Sequence, residues 1–316
     1  MKNSIILILF ALALSCNSQN DFPVLKGSYL GQTPPGNSPE IFALGIISTV
    51  KGELNAMFSP DGEKFYYTIE VVPGRSYSTY YMQQENNIWS QPIISSLLNE
   101  YSGGEPSISP DGKYMFFRSM LDENGNNQSH ADIWQINMKS DNSTKPTKIG
   151  NVVNSEFNEA YPTLSTDKTL FFHSNREGGK GGVDIYFSNF INGNYTSPFN
   201  IGDSINTETH EFHPCISPDG SFLIFTSLNR PDGFGSLDLY ISFRKKDGTW
   251  TKAKNMGKEI NSEAGDYMPY ISYDGKYLFF TSTRKKQEIL NNNPQNVKPD
   301  IYWVDASVIN LFNSKR

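Results

Sequence analysis

The chain has 316 residues, of which 37% are hydrophobic and 13% aromatic, and its formal net charge is −6. This length is enough for one large domain with a sizeable hydrophobic core. The chain lacks the excess of basic residues that is typical of nucleic-acid-binding proteins, and this argues against that class of function.

The first segment of the chain predicts export. Lys2 gives a basic start, and residues 5–14 form an apolar stretch that is too short for a membrane span and typical of a secretory signal. The run Ala-Leu-Ser-Cys that follows resembles the lipobox of bacterial lipoproteins. The resemblance implies a signal peptide over residues 1–15 and lipidation of Cys16. A plain signal peptide with an incidental cysteine is the alternative.

The residues after Cys16 refine this prediction. Asn17 is not the inner-membrane retention signal known for lipoproteins, so the resemblance implies an outer-membrane lipoprotein, which we expect to face the periplasm. A lipidated Cys16 leaves Cys215 without a disulfide partner, and we expect Cys215 to be a buried, inert thiol. Residues 16–39 are predicted to be a lipidated N-terminus and linker.

A ten-residue segment then recurs five times, every 50 to 56 residues. Its serines are Ser59, Ser109, Ser165, Ser217 and Ser272. Three copies read Ser-Pro-Asp-Gly, a tight turn in which proline presets φ and glycine accepts a positive φ. The third copy, at residues 165–168, lacks both proline and glycine, so we expect a looser hairpin there.

The fourth repeat shows the whole unit. Strands are predicted at residues 213–217 and 221–227 around the turn, at 237–242, and from Trp250 to about Gly257. Trp89 and Tyr195 open the corresponding fourth strands of other units. Four antiparallel strands per repeat form one blade of a β-propeller.

The two ends of the chain predict how the ring closes. The last repeat lacks a fourth strand, whereas residues 40–44 precede the first repeat at the position that a fourth strand would occupy. An N-terminal strand that completes the C-terminal blade removes two exposed sheet edges. We therefore predict an all-β, five-bladed propeller over residues 40–305, with a tail at 306–316. A sixth blade would need residues 20–39, which are rich in proline.

The repeats resemble the TolB-like propeller repeat, also called WD40-like and named for its Pro-Asp pair. The resemblance covers residues 40–305 and includes the Asp-Ile-Trp, Asp-Ile-Tyr and Asp-Leu-Tyr motifs that begin at Asp132, Asp184, Asp238 and Asp300. It implies the propeller fold and a bacterial envelope protein. It does not imply one activity, because such propellers serve as interaction modules, peptidase gates and parts of envelope assemblies.

Two sets of residues mark the start of the first strands. Six positions before the repeat serines stand Glu53, Gly103, Glu159, Glu211 and Asp266, and two positions further on stand Asn55, Glu105, Tyr161, His213 and Met268. If the first strands line the channel, both sets form rings at its mouth, where carboxylates could bind a cation or a sugar. The alternative is that each acid caps its own inter-blade connector.

Other polar residues are given structural roles. Arg176, Arg230 and Arg284 end second strands, and Asp184, Asp238 and Asp300 begin third strands, so Arg–Asp pairs across the hairpin mouths are expected. His210 and His213 face opposite sides of one strand, which argues against a metal site. Tyr77, Tyr80 and Tyr81 break the repeat pattern and form either a contact surface or an irregular strand.

The sequence thus predicts a monomeric, non-catalytic envelope scaffold that binds a protein partner or a small glycan. The predicted binding residues at the channel mouth are Glu105, Glu159, Glu211, His213 and Asp266. No catalytic residue, metal or cofactor is predicted, no nucleic acid is an expected partner, and membrane contact is through the lipid anchor only. The alternative is a carbohydrate-active enzyme, a glycosidase or a lyase, that uses two of these carboxylates.

Overall fold

The computed structural model describes residues 22–72, 76–138, 145–284 and 298–313. Five antiparallel sheets stand around a central axis, and the first strand of each sheet contacts the first strands of its two neighbours. The predicted five-bladed β-propeller is therefore confirmed. The predicted signal peptide and Cys16 lie outside the described residues.

The strands follow the same order in every blade, from the axis outwards. The first strands are Glu53–Phe58, Gly104–Ile108, Glu159–Leu164, His210–Ile216 and Asp266–Ile271. The second strands are Lys64–Val72, Tyr114–Leu121, Leu170–Ser174, Phe222–Leu228 and Tyr277–Ser282. The third strands are Ser76–Glu85, Asn127–Asn137, Asp184–Ser188, Leu237–Phe243 and Asp300–Asp305. The fourth strands are Ile93–Ile94, Thr147–Lys148, Phe199–Asn200, Lys254–Asn255 and Glu40–Ile41.

The N-terminal strand closes the ring as predicted. Glu40 pairs with Trp303, so this strand forms the outer edge of blade five. The next residue, Phe42, has no exposed surface and packs against Trp303 and Phe279, with ring centroids 5.0 and 5.2 Å apart. Hydrophobic burial therefore reinforces the backbone pairing that joins the two ends of the chain.

The fourth strands are shorter than predicted and start later. Trp250 forms only an isolated bridge with Arg244, and Tyr195 belongs to a separate small hairpin, Phe190–Ile191 with Asn194–Tyr195. Trp89 lies in Ile88–Trp89, which pairs with the third strand of blade one ahead of the true fourth strand. The three aromatic residues thus lie between the third and fourth strands, in short pairings that come before the fourth strand begins.

The turns between first and second strands share one hydrogen-bond pattern. In blade four, Ser217 Oγ donates to Asp219 Oδ1 at 2.7 Å and accepts from the Phe222 amide at 3.0 Å. The third turn makes the same serine–aspartate bond, at 2.6 Å, with Lys168 in the left-handed region at φ 67°. The expectation of a looser third hairpin was wrong, because the side-chain bonds hold the turn without proline or glycine.

The left-handed position of these turns gives a testable difference. Gly220 has φ 70°, and a Cβ placed there would meet no atom closer than 3.7 Å, so conformational strain is the main effect of a side chain. We expect Gly220→Ala to lower the free energy of unfolding by about 1 kcal/mol. Lys168 already has a side chain in this conformation, so Lys168→Ala should change the free energy of unfolding by less than about 0.5 kcal/mol. Urea unfolding measures both, and equal losses would contradict this account.

Two faces of the propeller can now be distinguished. We call the face that carries the Ser-Pro-Asp-Gly turns the turn face. The opposite face, which carries the inter-blade connectors and the hairpins between second and third strands, is the connector face. Short α-helices, Ser96–Glu100 and Gly257–Ile260, lie within two connectors. None of the helices in the described ranges has the length and hydropathy that a membrane span needs.

The described part of the predicted linker, residues 22–39, packs on the turn face. Lys26 pairs with Ile88, and the turn Ser28–Gly31 buries Leu30 completely. Tyr29 lies 4.7 Å from the ring of Tyr277, and its hydroxyl donates to Asp274 of the blade-five turn at 2.6 Å. At the other end, the 3₁₀-helix Ala306–Leu311 starts with an amide bond to Lys276, also next to that turn.

Candidate functional site

The acids at the start of the first strands of blades three to five are buried and fully engaged. Glu211 has no exposed surface. Its carboxylate accepts from the Thr207 amide at 2.9 Å and hydroxyl at 2.7 Å, and from Ser227 Oγ at 3.0 Å. Glu159 and Asp266 accept the same bonds from Ser155 and Ser262 of their own connectors.

Each of these acids also holds an arginine. Arg176, Arg230 and Arg284 lie 2.8, 2.8 and 2.6 Å from Glu159, Glu211 and Asp266. Each guanidinium also donates to a connector carbonyl. The expected pairs of these arginines with Asp184, Asp238 and Asp300 were therefore wrong. Asp184 and Asp238 accept instead from amides of their own hairpin loops, because these carboxylates sit where the loop N–H groups converge.

This geometry corrects the predicted role of three site residues. Glu159, Glu211 and Asp266 have no exposed surface with which to contact a ligand at the channel mouth. Their contacts are those of the capping alternative, in which an acid satisfies the backbone donors of its connector. The arginine adds a second link between the connector and the second strand.

The axis of the propeller is lined by the other predicted set. Asn55, Glu105, Tyr161, His213 and Met268 all adopt positive φ, between 50 and 55°. The ladder between first and second strands breaks at the same point in every blade, so each of these residues sits in a β-bulge that directs it away from regular pairing. The sequence placed them beside the channel but gave no sign of this conformation.

Side chains fill the centre of the ring. The Tyr161 hydroxyl donates to Asn55 Oδ1 at 2.9 Å across the axis, and the His213 ring packs edge-on against Tyr161 at 4.7 Å. A small space of about 30 Å³ lies between the first strands, with room for roughly one water molecule. Cys215 borders this space, and burial raises the pKa of its thiol to about 12.

Neighbouring blades are linked by the amides of the left-handed residues. The amides of Asn55 and Met268 donate to threonine hydroxyls of the preceding blade, Thr281 and Thr226, at 3.2 and 3.3 Å. The His213 amide donates in the same way to His173 Nδ1 at 3.3 Å. A second-strand side chain of one blade thus accepts from the next blade.

Blade two departs from this pattern. Arg118 pairs with Gly104 just as Thr226 pairs with Phe212, but a guanidinium cannot accept a hydrogen bond. Glu105 takes over this function. Its Oε2 accepts from the Tyr161 amide at 3.1 Å, while its Oε1 lies 3.1 Å from Arg118 Nε. Glu105 is thus the predicted site residue that is both partly exposed and held beside a cation.

The buried acid–arginine pair is also missing from blade two. Gly103 occupies the position of Glu159, and Leu121 follows Ser119 as Arg176 follows Ser174. A Cβ on Gly103 would lie 2.8 Å from the Phe117 ring, so no acid fits. The connector here contains the helix Ser96–Glu100 instead.

A cavity of about 770 Å³ opens on the connector face at this departure from the repeat. We call it the blade-one/two cavity. Tyr77 and Asn127, on the long hairpins of blades one and two, lie at its wall, and Glu105 and Arg118 line it. The rest of the lining is Leu54, Asn55, Thr68, Ser78, Asn99, Ser102, Gly103, Gly104, Met120, Gln128 and Met268. This size suits a drug-sized ligand.

The sequence contained a signal for the cavity. Gly103 interrupts the series of acids, and the connector before it lacks the Asn-Ile-Gly or Asn-Met-Gly motif of two other connectors. In a repeat protein, a unit that loses a shared structural pair is a candidate for function. Within the described ranges, no three His, Cys, Asp or Glu side chains are grouped to hold a metal ion.

The two buried histidines near the axis should make the stability of the propeller sensitive to acid. Burial lowers the pKa of His173 to about 4 from 6.5, and burial together with His173 and Arg118 lowers the pKa of His213 well below 6.5. The unfolded chain therefore binds these protons first as the pH falls. We expect the free energy of unfolding to decrease between about pH 6.5 and pH 4, by at most about 1.4 kcal/mol per pH unit for each histidine.

A variant isolates this effect. His173→Thr supplies the hydroxyl that Thr226 and Thr281 supply at the same position, so the His213 amide keeps an acceptor. Urea unfolding at several pH values should show a shallower pH dependence for His173→Thr than for the unchanged protein. An identical slope would show that carboxyl groups alone cause the acid sensitivity.

Comparison with solved structures supports the fold. A TolB protein from Agrobacterium tumefaciens matches with a TM-score of 0.52 and 17% identity, over 81% of this chain and 78% of that one. An α-L-arabinofuranosidase from Lactobacillus brevis matches with a TM-score of 0.49 and 14% identity, over 83% and 91%. Hydrazine synthase from Kuenenia stuttgartiensis gives a TM-score of 0.47 and 13% identity, over 88% and 83%.

The match to the TolB structure confirms the TolB-like propeller fold that the repeats predicted. At 17% identity this match establishes the architecture and not the activity. No protein-family model matches the sequence, and no curated protein matches it.

Proposed function

We propose that the propeller is a non-catalytic binding module of the bacterial envelope, and that the blade-one/two cavity holds its ligand or a loop of its partner. The observation that carries this proposal is the local loss of the acid–arginine pair. Three blades use that pair to tie connector and second strand together, whereas blade two gives it up and has an open cavity at the same place. Of the predicted binding residues, Glu105 belongs to this proposed site.

The chemistry of the lining favours binding over catalysis. Glycoside hydrolysis uses two carboxyl groups about 5 to 9.5 Å apart, and Glu105 is the one carboxyl group among the described residues that line this cavity. Both of its oxygens are engaged, with Arg118 and with the Tyr161 amide. The acids that a glycosidase or lyase could have used are the buried caps of the connectors.

Location is part of the proposal. The predicted signal peptide at residues 1–15 and the predicted lipidation of Cys16 favour an outer-membrane lipoprotein that faces the periplasm, and we propose that it works as a monomer. Mass spectrometry of the purified full chain should find an acylated N-terminal cysteine, and Cys16→Ser should move the protein from the membrane to the soluble fraction. An unmodified, soluble protein before the substitution would contradict the anchor.

Thermal unfolding with a panel of glycan fragments, including peptidoglycan pieces, tests the cavity. A ligand at one hundred times its Kd adds about 2.7 kcal/mol to the free energy of unfolding, which raises the Tm by several degrees. Ser78→Trp fills the cavity wall and should abolish the shift. Glu85→Trp is the control, on the same strand at its turn-face end.

The same samples separate the two functional classes. Mass spectrometry should find every glycan intact after prolonged incubation, and new products that Ser78→Trp abolishes would establish the enzyme instead. If no small molecule raises the Tm, a photo-crosslinker at Asn127 tests the protein-partner form of the proposal. Crosslinks that Ser78→Trp does not change would place binding away from the cavity.

A further inference from the structure

The charged groups of the blade-one/two cavity are a single ion pair. Among its described lining residues, Glu105 and Arg118 alone carry formal charges, so the lining is neutral overall. The two partners are not equivalent, however. The oxygens of Glu105 are engaged with protein nitrogens, as described above, whereas Arg118 approaches Glu105 through its Nε, at 3.1 Å.

The outer end of Arg118 remains available. Neither Nη1 nor Nη2 donates a hydrogen bond to any of the described residues, and the Arg118 side chain is 24% exposed. The same guanidinium lines a second, smaller cavity of about 260 Å³ beside His173. Arg118 therefore stands between two open spaces with its terminal N–H groups unused. In blades three to five, the terminal N–H groups of the arginines donate to a carboxylate and to a connector carbonyl.

The neighbouring amide side chains offer the cavity one donor and one acceptor. Asn99 Oδ1 accepts from the Thr79 amide at 3.2 Å, which leaves its NH₂ group for the cavity. Gln128 is oriented the other way, since its Nε2 donates to Asp132 at 2.6 Å and its carbonyl oxygen remains. The Tyr77 hydroxyl faces the Glu70 carboxylate, whereas the Ser78 hydroxyl can donate or accept. A bound molecule must therefore supply acceptor oxygens opposite Arg118.

We propose that the cavity recognises a small ligand through a single carboxylate, which pairs with the terminal nitrogens of Arg118. A guanidinium fork fits the two coplanar oxygens of a carboxylate. The adjacent Glu105 limits the acceptable charge, because a doubly charged phosphate would meet a carboxylate and a protein of net charge −6. This inference rests on the proposed function, for which it specifies the ligand class.

Two sources supply such a carboxylate within a cavity of this volume. One is an acidic sugar, whose hydroxyls would meet Gln128, Asn99 and Ser78. The other is the C-terminal carboxylate of a short peptide, whose carbonyl groups would accept from the NH₂ group of Asn99. Both present one negative charge flanked by neutral polar groups, so the shared chemistry is the carboxylate, and the probes must separate the sources.

Isothermal titration of the full chain with four probes makes this test. D-glucuronate and D-glucose form the sugar pair, and N-acetyl-L-alanine and N-acetyl-L-alaninamide form the peptide pair. In the pair that corresponds to the natural source, we expect the acid to bind at least tenfold more tightly than its neutral counterpart, since hydrogen bonds to charged groups are worth about ten- to hundredfold in affinity. Equal affinity within both pairs would overturn the carboxylate inference.

Arg118→Lys provides the sharper variant. Lysine keeps a positive charge beside Glu105 but replaces the planar fork by a point charge, so affinity for the acid should fall about tenfold to hundredfold. The control is Arg244→Lys, an exposed arginine beyond the turn-face end of blade four. Unchanged affinity in Arg118→Lys would overturn the inference, and an unchanged Tm shows that the variant has folded.

The outcomes also separate this inference from the proposed function. If the neutral probes bind as well as the acids and Ser78→Trp abolishes their binding, the cavity remains the binding site and the carboxylate inference is overturned. Acids that bind but are unaffected by Ser78→Trp place their site elsewhere, which counts against both. No binding of any probe overturns the carboxylate inference and leaves the proposed function to the glycan and crosslinking experiments.

Discussion

Glu211→Ala should lower the free energy of unfolding by about 3–5 kcal/mol, the range for removing one partner of a buried ion pair. The substitution leaves the Arg230 guanidinium, whose side chain is only 8% exposed, without its counter-charge. It also removes the acceptor of the Thr207 amide and hydroxyl. Urea unfolding followed by tryptophan fluorescence measures the loss.

The control for this variant lies in the same connector. Glu208 is exposed, so Glu208→Ala should change the free energy of unfolding by less than about 0.5 kcal/mol. A second variant, Glu211→Gln, keeps the size of the side chain but gives up its charge, and we expect an intermediate loss. If Glu211→Ala were as stable as Glu208→Ala, the acid would not hold the connector, and a ligand role for it would be open again.

Phe42→Ala should destabilise the protein by about 3–5 kcal/mol, the usual range for truncating a buried phenylalanine. Phe42 is in the seam where blade five meets blade one, surrounded by Phe58, Phe65, Phe279 and Trp303. Its loss opens a void at the point where the ring is closed. We therefore also expect the segment before Glu53 to become sensitive to limited proteolysis under native conditions.

Leu44→Ala is the matched control for Phe42→Ala. Leu44 is two residues further along the same segment and is 63% exposed, so its truncation should have little effect on stability or proteolysis. If Phe42→Ala lowered stability without increased cleavage of the N-terminal segment, the segment would remain docked through its backbone pairing with blade five. The side chain would then contribute to the core but not to closure.

The architecture could be predicted because its determinants are local. Turn residues and alternating strands recur at a fixed spacing, and the missing fourth strand of the last repeat has a counterpart at residues 40–44. A propeller needs each blade to carry the same signals, so one clear copy identifies the others. The strand that closes the ring follows from counting blades.

The partners of the arginines could not be predicted in the same way. Glu159 and Asp184 both lie near the mouth of the hairpin that contains Arg176, and spacing alone does not rank them. The choice depends on which carboxylate has connector amides beside it, and this is a property of the folded backbone. Asp184 binds its own loop, which leaves Glu159 for the arginine.

The cavity was missed because its cause is a lost interaction. Gly103 was visible in the sequence as a gap in the acids, but the gap acquires meaning only when Glu159, Glu211 and Asp266 are seen to be structural. The positions of the side chains on the axis also depend on the β-bulges, one of which turns Glu105 toward Arg118. A positive φ at five non-glycine residues leaves no signature in residue type.

The packing of residues 22–39 also decides how the molecule is presented to its surroundings. This segment is bound at the turn face, beside Ile88 and Asp274, and the helix Ala306–Leu311 ends the described chain at the same face. The cavity opens on the opposite side. A support coupled upstream of Phe22, whether lipid, resin or a fused domain, would therefore leave Tyr77 and Asn127 pointing outward, so the protein can be immobilised by its ends without blocking the mouth.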